Sequence, residues 1–213
     1  VQDRFVFVAD SMFRLPQEVG DAESQRPSYE CVWPLAPGAR VELDEQADRA
    51  TAQWTDAGLL MLVPIRPEGS RFEVHEGEEE PPRGWVPGEG VHLPAPQVVL
   101  NTPTMHRQHE YYVTVLVPYA GTDGPKVTVE AKSPMGQTGF VRLTWADGSQ
   151  DTVYWACNFN MMLGKWPDFE TDGSLVHVRT DAAGKVLGGC CVDGTYLEPF
   201  CDRSYEKPTT FAF

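Results

Sequence analysis

Apolar and polar residues alternate with a period of two along much of this chain, as in RVELD at 40–44, RFEVH at 71–75 and KVTVE at 126–130. A strand sends successive side chains to opposite faces, so each segment reads as a strand with one buried face. β-Branched and aromatic residues extend the pattern through YYVTVLV at 111–117, GFVRLTW at 139–145, TVYWA at 152–156, LVHVR at 175–179 and the stretch 185–191. The Asp/Gly loops at 146–151 and 181–184 have the composition of short β-turns and predict two consecutive hairpins. A helical period is conceivable only at 44–52, where Asp, Glu, Gln and Ala read equally well as a polar loop. The predicted fold class is therefore all-β: a two-layer antiparallel β-sandwich with long loops and little helix. Residues 1–213 are taken as one domain, with two smaller domains as the alternative. The opening RFVFVA at 4–9 already reads as a strand, which predicts a fragment of a longer protein.

Composition sharpens this picture in three ways. The 18 prolines and 19 glycines are spread along the whole length, as many short strands punctuated by turns require. They concentrate, with acidic residues, at 14–27 and 76–96, which read as the longest irregular stretches; loops of that length tend to be functional or interfacial. Seventeen basic against 31 acidic residues give a net charge of −14, which repels nucleic acid and anionic membrane surfaces, although a local cleft can still hold an anion because distant charges are screened. No run of about 18 apolar residues occurs, so no membrane insertion is predicted. The five cysteines (Cys31, Cys157, Cys190, Cys191 and Cys201) are odd in number and contain no CxxC, so neither a zinc ribbon nor a fully paired disulfide framework is suggested. Adjacent Cys190 and Cys191 read as two ordinary strand residues on opposite faces in preference to a vicinal bridge.

Candidate chemistry is sparse. His106 and His109 have a spacing that suits two metal ligands on a helix, but they run into a strand and no third ligand follows, so no metal or other cofactor is expected. His75 and His177 alternate with apolar neighbours and read as polar positions on exposed strand faces. Asp147, Ser149 and Asp151 read as a solvated turn, because a calcium loop needs further ligands. The run Glu78, Glu79 and Glu80 before Pro81 reads as a solvated loop. No GxSxG, phosphate-cradling loop or dinucleotide fingerprint is present. Of the six tryptophans, Trp145 and Trp155 fall on strands that a hairpin would pair, where packing explains them. Trp85 and Trp166 lie among Gly and Pro and are the candidates for an exposed platform that binds a sugar substrate.

Taken in order, RFVFVADSM at 4–12, YECVWPLAPG at 29–38, Gly84-Trp85 followed by LPAP at 93–96, YVTVLVP at 112–118 and the closing run at 169–197 resemble the C-terminal β-sandwich of the heparinase II/III-like polysaccharide lyases. The resemblance implies a parent protein with an α-helical toroid ahead of this sandwich, as the domain partner, and a uronic-acid polysaccharide as substrate. In such a parent a tyrosine or histidine base removes the C5 proton, neighbouring polar groups neutralise the substrate carboxylate, and the glycosidic oxygen leaves by β-elimination. The family's catalytic asparagine and tyrosine belong to the helical domain, and its sandwich histidine and metal ligands precede the strand at which this chain starts. No catalytic position is carried over, and the isolated chain is expected to be inactive. The resemblance also implies a periplasmic or secreted protein. The alternative function is a non-catalytic carbohydrate-binding or assembly sandwich.

Overall fold

The computed structural model describes residues 4–13, 28–103, 109–133, 138–156, 164–166, 169–201 and 204–213. Among them there is no α-helix, every strand pairing is antiparallel, and the chain forms two compact units, Val1–Pro125 and Lys126–Phe213. The all-β expectation holds, and each unit is a two-layer structure with its own core.

The first unit contains β1 (Val6–Phe13), β2 (Tyr29–Pro34), β3 (Arg40–Asp44), β4 (Arg49–Gln53), β5 (Ala57–Ile65), β6 (Arg71–His75), β7 (Glu78–Glu79), β8 (Pro82–Arg83), β9 (Trp85–Pro87), β10 (His92–Pro94), β11 (Gln97–Thr102) and β12 (His109–Ala120). A five-stranded sheet in the order β1-β12-β5-β4-β3 faces a three-stranded sheet in the order β2-β11-β6. The alternation read from the sequence decides which side chains meet between the layers. Ala50, Ala52, Met61, Val63 and Tyr112 from the larger sheet pack with Phe72, Val98 and Leu100 from the smaller. The buried Tyr112 hydroxyl is hydrogen-bonded to Thr102, and Thr102 in turn lies 2.6 Å from the Ser70 hydroxyl, so the polar atoms enclosed with this core form a chain. The ambiguous segment 44–52 resolves into β3, a 3-10 turn at Glu45–Ala47 and β4. Asp44 caps the turn by accepting from the Ala47 amide, and that local bond outcompetes a longer helix.

The second unit contains β13 (Val127–Lys132), β14 (Thr138–Trp145), β15 (Gln150–Ala156), β16 (Gly164–Trp166), β17 (Phe169–Thr171), β18 (Leu175–Thr180), β19 (Val186–Gly194), β20 (Leu197–Glu198) and β21 (Thr209–Ala212). Six strands in the order β13-β14-β15-β18-β19-β21 make one sheet, and β16-β17-β20 make a small second one. Both hairpins expected from the Asp/Gly loops are present, as the β14–β15 and β18–β19 pairs. Tyr154, Val176, Val178, Cys191 and Phe211 of the large sheet bury against Phe169 and Leu197 of the small one.

Leu100 is 2% exposed at the centre of the first core. Leu100→Ala is expected to cost about 2–5 kcal/mol of unfolding free energy, from lost transfer energy plus the cavity left behind. Urea unfolding followed by tryptophan fluorescence measures it, and a loss under about 1 kcal/mol would contradict the core assignment.

Candidate functional site

The segment 76–96, read from the sequence as irregular, is an ordered arm of two small hairpins, β7–β8 and β9–β10. Strands of two or three residues are too short for a period of two to show, which is why the sequence conceals them. Gly84 joins the hairpins. Its φ of +70° suits glycine, and a Cβ there would strike the backbone of His75 and Glu76. The Gly84 carbonyl accepts from the Gly77 and Ala95 amides at 3.0 and 2.9 Å, and its own amide donates to Gln97 Oε1 at 3.0 Å. One residue thus ties the arm to β11.

Trp85 follows immediately. Its indole N–H donates to the Glu78 carbonyl at 2.7 Å, which fixes the ring while leaving the side chain among the exposed large apolar groups. Trp85 lines a cleft of about 620 Å³ together with Glu78, Glu79, Arg83, His92 and Gln97. The Gln97 carboxamide uses its oxygen on Gly84, while its NH2 makes no hydrogen bond among the described residues. Beside the cleft, Arg83 pairs with Glu30 at 2.7 Å and approaches His75 Nε2 at 3.2 Å. His75 Nδ1 sits 2.9 Å from Glu78. His75 is therefore a half-buried link between β6 and the arm, which corrects the expectation of an exposed strand face. The glutamate run does not behave as one solvated loop either, since Glu78 is engaged by both His75 and Trp85.

The arrangement suits a sugar ring. An indole face packs against pyranose C–H groups, carboxylates accept hydroxyl protons, and the free Gln97 NH2 donates. Trp166 pairs with Phe169 at the end of β16, so its backbone is in a strand where the sequence suggested a loop; its side chain lies outside the described residues. The side chain of His109 and the whole of His106 also lie outside them. Among the described residues no group of three or more His, Cys, Asp or Glu side chains is placed to hold a metal ion.

The residue that sequence reasoning missed is Asp151. Read as part of a solvated turn, it is fully buried on β15. It accepts from His177 Nε2 and Arg179 Nε, both at 2.7 Å, and from Trp145 Nε1 at 2.7 Å. Burial alone would raise its pKa, but the donors His177, Arg179 and Trp145 outweigh burial and bring it from an ordinary 3.8 down to about 2. Burial likewise opposes charge on His177, yet the bond to Asp151, helped by Cys190 opposite it on β19, raises the imidazole from 6.5 to about 9. The side chain of His177 is only 19% exposed, so it too is not on an open face. As an imidazolium it accepts no proton at neutral pH, which removes it as a general base. The signal available beforehand was the period itself: Asp151, Val153 and Trp155 share one face of β15, and that face is apolar.

The thiols of Cys31, Cys190, Cys191 and Cys201 are all free. Burial, reinforced by Asp10, pushes the Cys31 thiol up to about 11, and its Sγ donates to Asp10 Oδ2 at 3.6 Å. Cys191 lies in the apolar core and Cys190 faces His177, so the adjacent pair does point to opposite faces.

In class, then, this is an all-β protein of two antiparallel units, with an aromatic cleft on the first and a buried ion-pair hub in the second. Compared with known proteins, the chain matches no protein-family model and no curated protein.

Removing Asp151 tests the hub. Asp151→Asn is expected to cost about 3 kcal/mol, because it removes the buried negative charge that His177 and Arg179 share and puts an amide NH2 among their donors. The depressed carboxyl contributes stability that is present above about pH 3.8 and lost toward pH 2, while the raised imidazole contributes stability that is complete below pH 6.5 and lost through pH 9. Urea titrations at several pH values should give the largest difference between wild type and variant between pH 3.8 and 6.5, shrinking on both sides. A difference that does not vary with pH would contradict the ion pair.

Proposed function

We propose that this chain is an accessory β-sandwich region of a heparinase II/III-like polysaccharide lyase, holding no catalytic residue itself and contacting glycan through the Trp85 cleft. One observation carries the reading. The resembling segment that runs from Gly84-Trp85 to LPAP at 93–96 coincides with the arm that presents an exposed, hydrogen-bonded indole beside an unengaged amide. The helical toroid and a uronic-acid polymer are the proposed partners, Trp166 is a second proposed contact, and the periplasm or cell exterior is the proposed location. His177, bound as a cation to Asp151, supports leaving the elimination step to residues outside this chain.

Glu78 and Glu79 in the cleft favour a second reading, a non-catalytic module for an uncharged glycan. The two separate on ligand choice. Titration calorimetry with alginate and with an uncharged β-glucan should show saturable binding of the polyuronate under the first reading and of the glucan alone under the second. Under either, Trp85→Ala is expected to weaken binding roughly tenfold or more, the cost typical of a central tryptophan contact. The chain alone should produce no ultraviolet absorbance of unsaturated uronate from alginate or heparan. A rise in that absorbance, or Trp85→Ala binding as tightly as wild type, would overturn the proposal.

A further inference from the structure

We propose that the second unit carries its own binding cleft for a carboxylate-bearing sugar ring. The choice of a uronate over other carboxylated rings rests on the lyase reading above; the site itself rests on the side chains that follow.

Register builds the cleft. Phe140, Tyr154 and Val176 form one cross-strand row on β14, β15 and β18; Arg142, Thr152 and Val178 form the next; Thr144, Gln150 and Thr180 form the third. Because rows two residues apart share a face, that face grades from aromatic through cationic to neutral polar. Phe169 and Phe200 wall its aromatic end, with Phe169 edge-on to Tyr154 at 4.7 Å between ring centres and 5.8 Å from Phe200. The enclosed space is about 390 Å³, within the range that holds a small ligand.

The polar groups in it are arranged but unspent. The Arg142 guanidinium lies 5.5 Å from the Phe140 ring centre, with Nε 3.4 Å from the Thr152 hydroxyl and Nη1 3.2 Å from Glu130. Those contacts hold the fork in place and leave Nη2 without a hydrogen bond among the described residues. The Gln150 carboxamide and the Thr180 hydroxyl are likewise unengaged among the described residues. Arg142 is the only charged side chain among the described residues lining this cleft, and Glu130 is half exposed beside it. A planar fork of donors matches a carboxylate, whereas an amide and a hydroxyl match ring hydroxyls, and the phenylalanines match a C–H face. The chain's overall negative charge does not forbid such an anion, because screening confines most of that repulsion to within roughly 8 Å.

The test is a two-dimensional NMR titration of the full chain that follows the Gln150 side-chain amide, with D-glucuronate and D-glucose as the two probes. Glucuronate is expected to shift that amide saturably and to bind roughly tenfold more tightly than glucose, the margin a charge-assisted hydrogen bond supplies. Arg142→Gln should abolish the preference, with its fold checked by circular dichroism. Thr180→Val, which keeps the shape and the sheet, should weaken both sugars. Equal affinity for the two sugars, a preference that survives Arg142→Gln, or shifts that avoid Gln150 would each overturn the site. Glucuronate captured here with alginate ignored would sink the lyase reading and leave this cleft standing. Alginate held at Trp85 with no glucuronate preference at Gln150 would do the reverse.

Discussion

Asp151 can collect three donors only because β15 pairs with β14 and β18 in one particular register. His177 and Arg179 come from β18, and Trp145 comes from the end of β14 across the tight turn. A buried carboxylate is costly unless it is fully paired and hydrogen-bonded. A slip of one residue would carry Asp151 to the opposite face, away from His177 and Arg179, and turn Tyr154 out of the aromatic core. Apolar strands tolerate slippage more readily than a strand with one such charge in it. The hub therefore acts as a register pin, and it is the likeness of its neighbours, Val141, Leu143 and Val153, that makes a pin useful.

The same register fixes the other face. With Asp151 directed to one side, Gln150 and Thr152 must point to the other, opposite Thr180 and beside Arg142. The polar side of the second unit's binding face is thus set by an interaction on its reverse side, while Tyr154, Phe169 and Val178 at its apolar end belong to the core. That separation is why Gln150 and Thr180 can remain unengaged among the described residues without loss to the fold. In the first unit the arm is placed differently, by one glycine whose backbone bonds to both Gly77 and Ala95. There a conformational permission, not a charge, positions the functional side chain.

Much of the fold was legible because strands advertise themselves by alternation. The two hairpins at Asp/Gly turns, the small helix content and the opposed cysteines at 190 and 191 all follow from local rules of period and turn chemistry. The arm at 76–96 was not legible, since strands of two or three residues display no period and its turns depend on backbone angles at glycine. Trp85 could be singled out from its Gly and Pro neighbours, but its bond to the Glu78 carbonyl could not. Asp151 was misread for a different reason: an aspartate two residues after Ser149 looks like turn chemistry, and although the period places it on an apolar face with Val153 and Trp155, two of the donors that make its burial tolerable lie 26 and 28 residues away. His177 failed likewise, its partner Asp151 being 26 residues away, whereas the partners of His75 are near in sequence, at Glu73, Glu78 and Arg83, and were hidden with the arm's short strands.

Net charge proved the least informative of the global properties. A charge of −14 describes a surface average, while the charged groups lining the two clefts differ in sign. Glu78 and Glu79 make the first locally acidic and suited to hydroxyl donors; Arg142 makes the second locally cationic. Since charges further off than a Debye length of about 8 Å contribute little, each cleft selects its ligand by the few groups within reach. What the overall charge does govern is approach, because a long polyanion is repelled before it reaches either cleft. A carboxylated glycan should consequently associate more readily as salt rises, whereas the contact with Arg142, once made in a partly enclosed site, is weakened far less by the same salt.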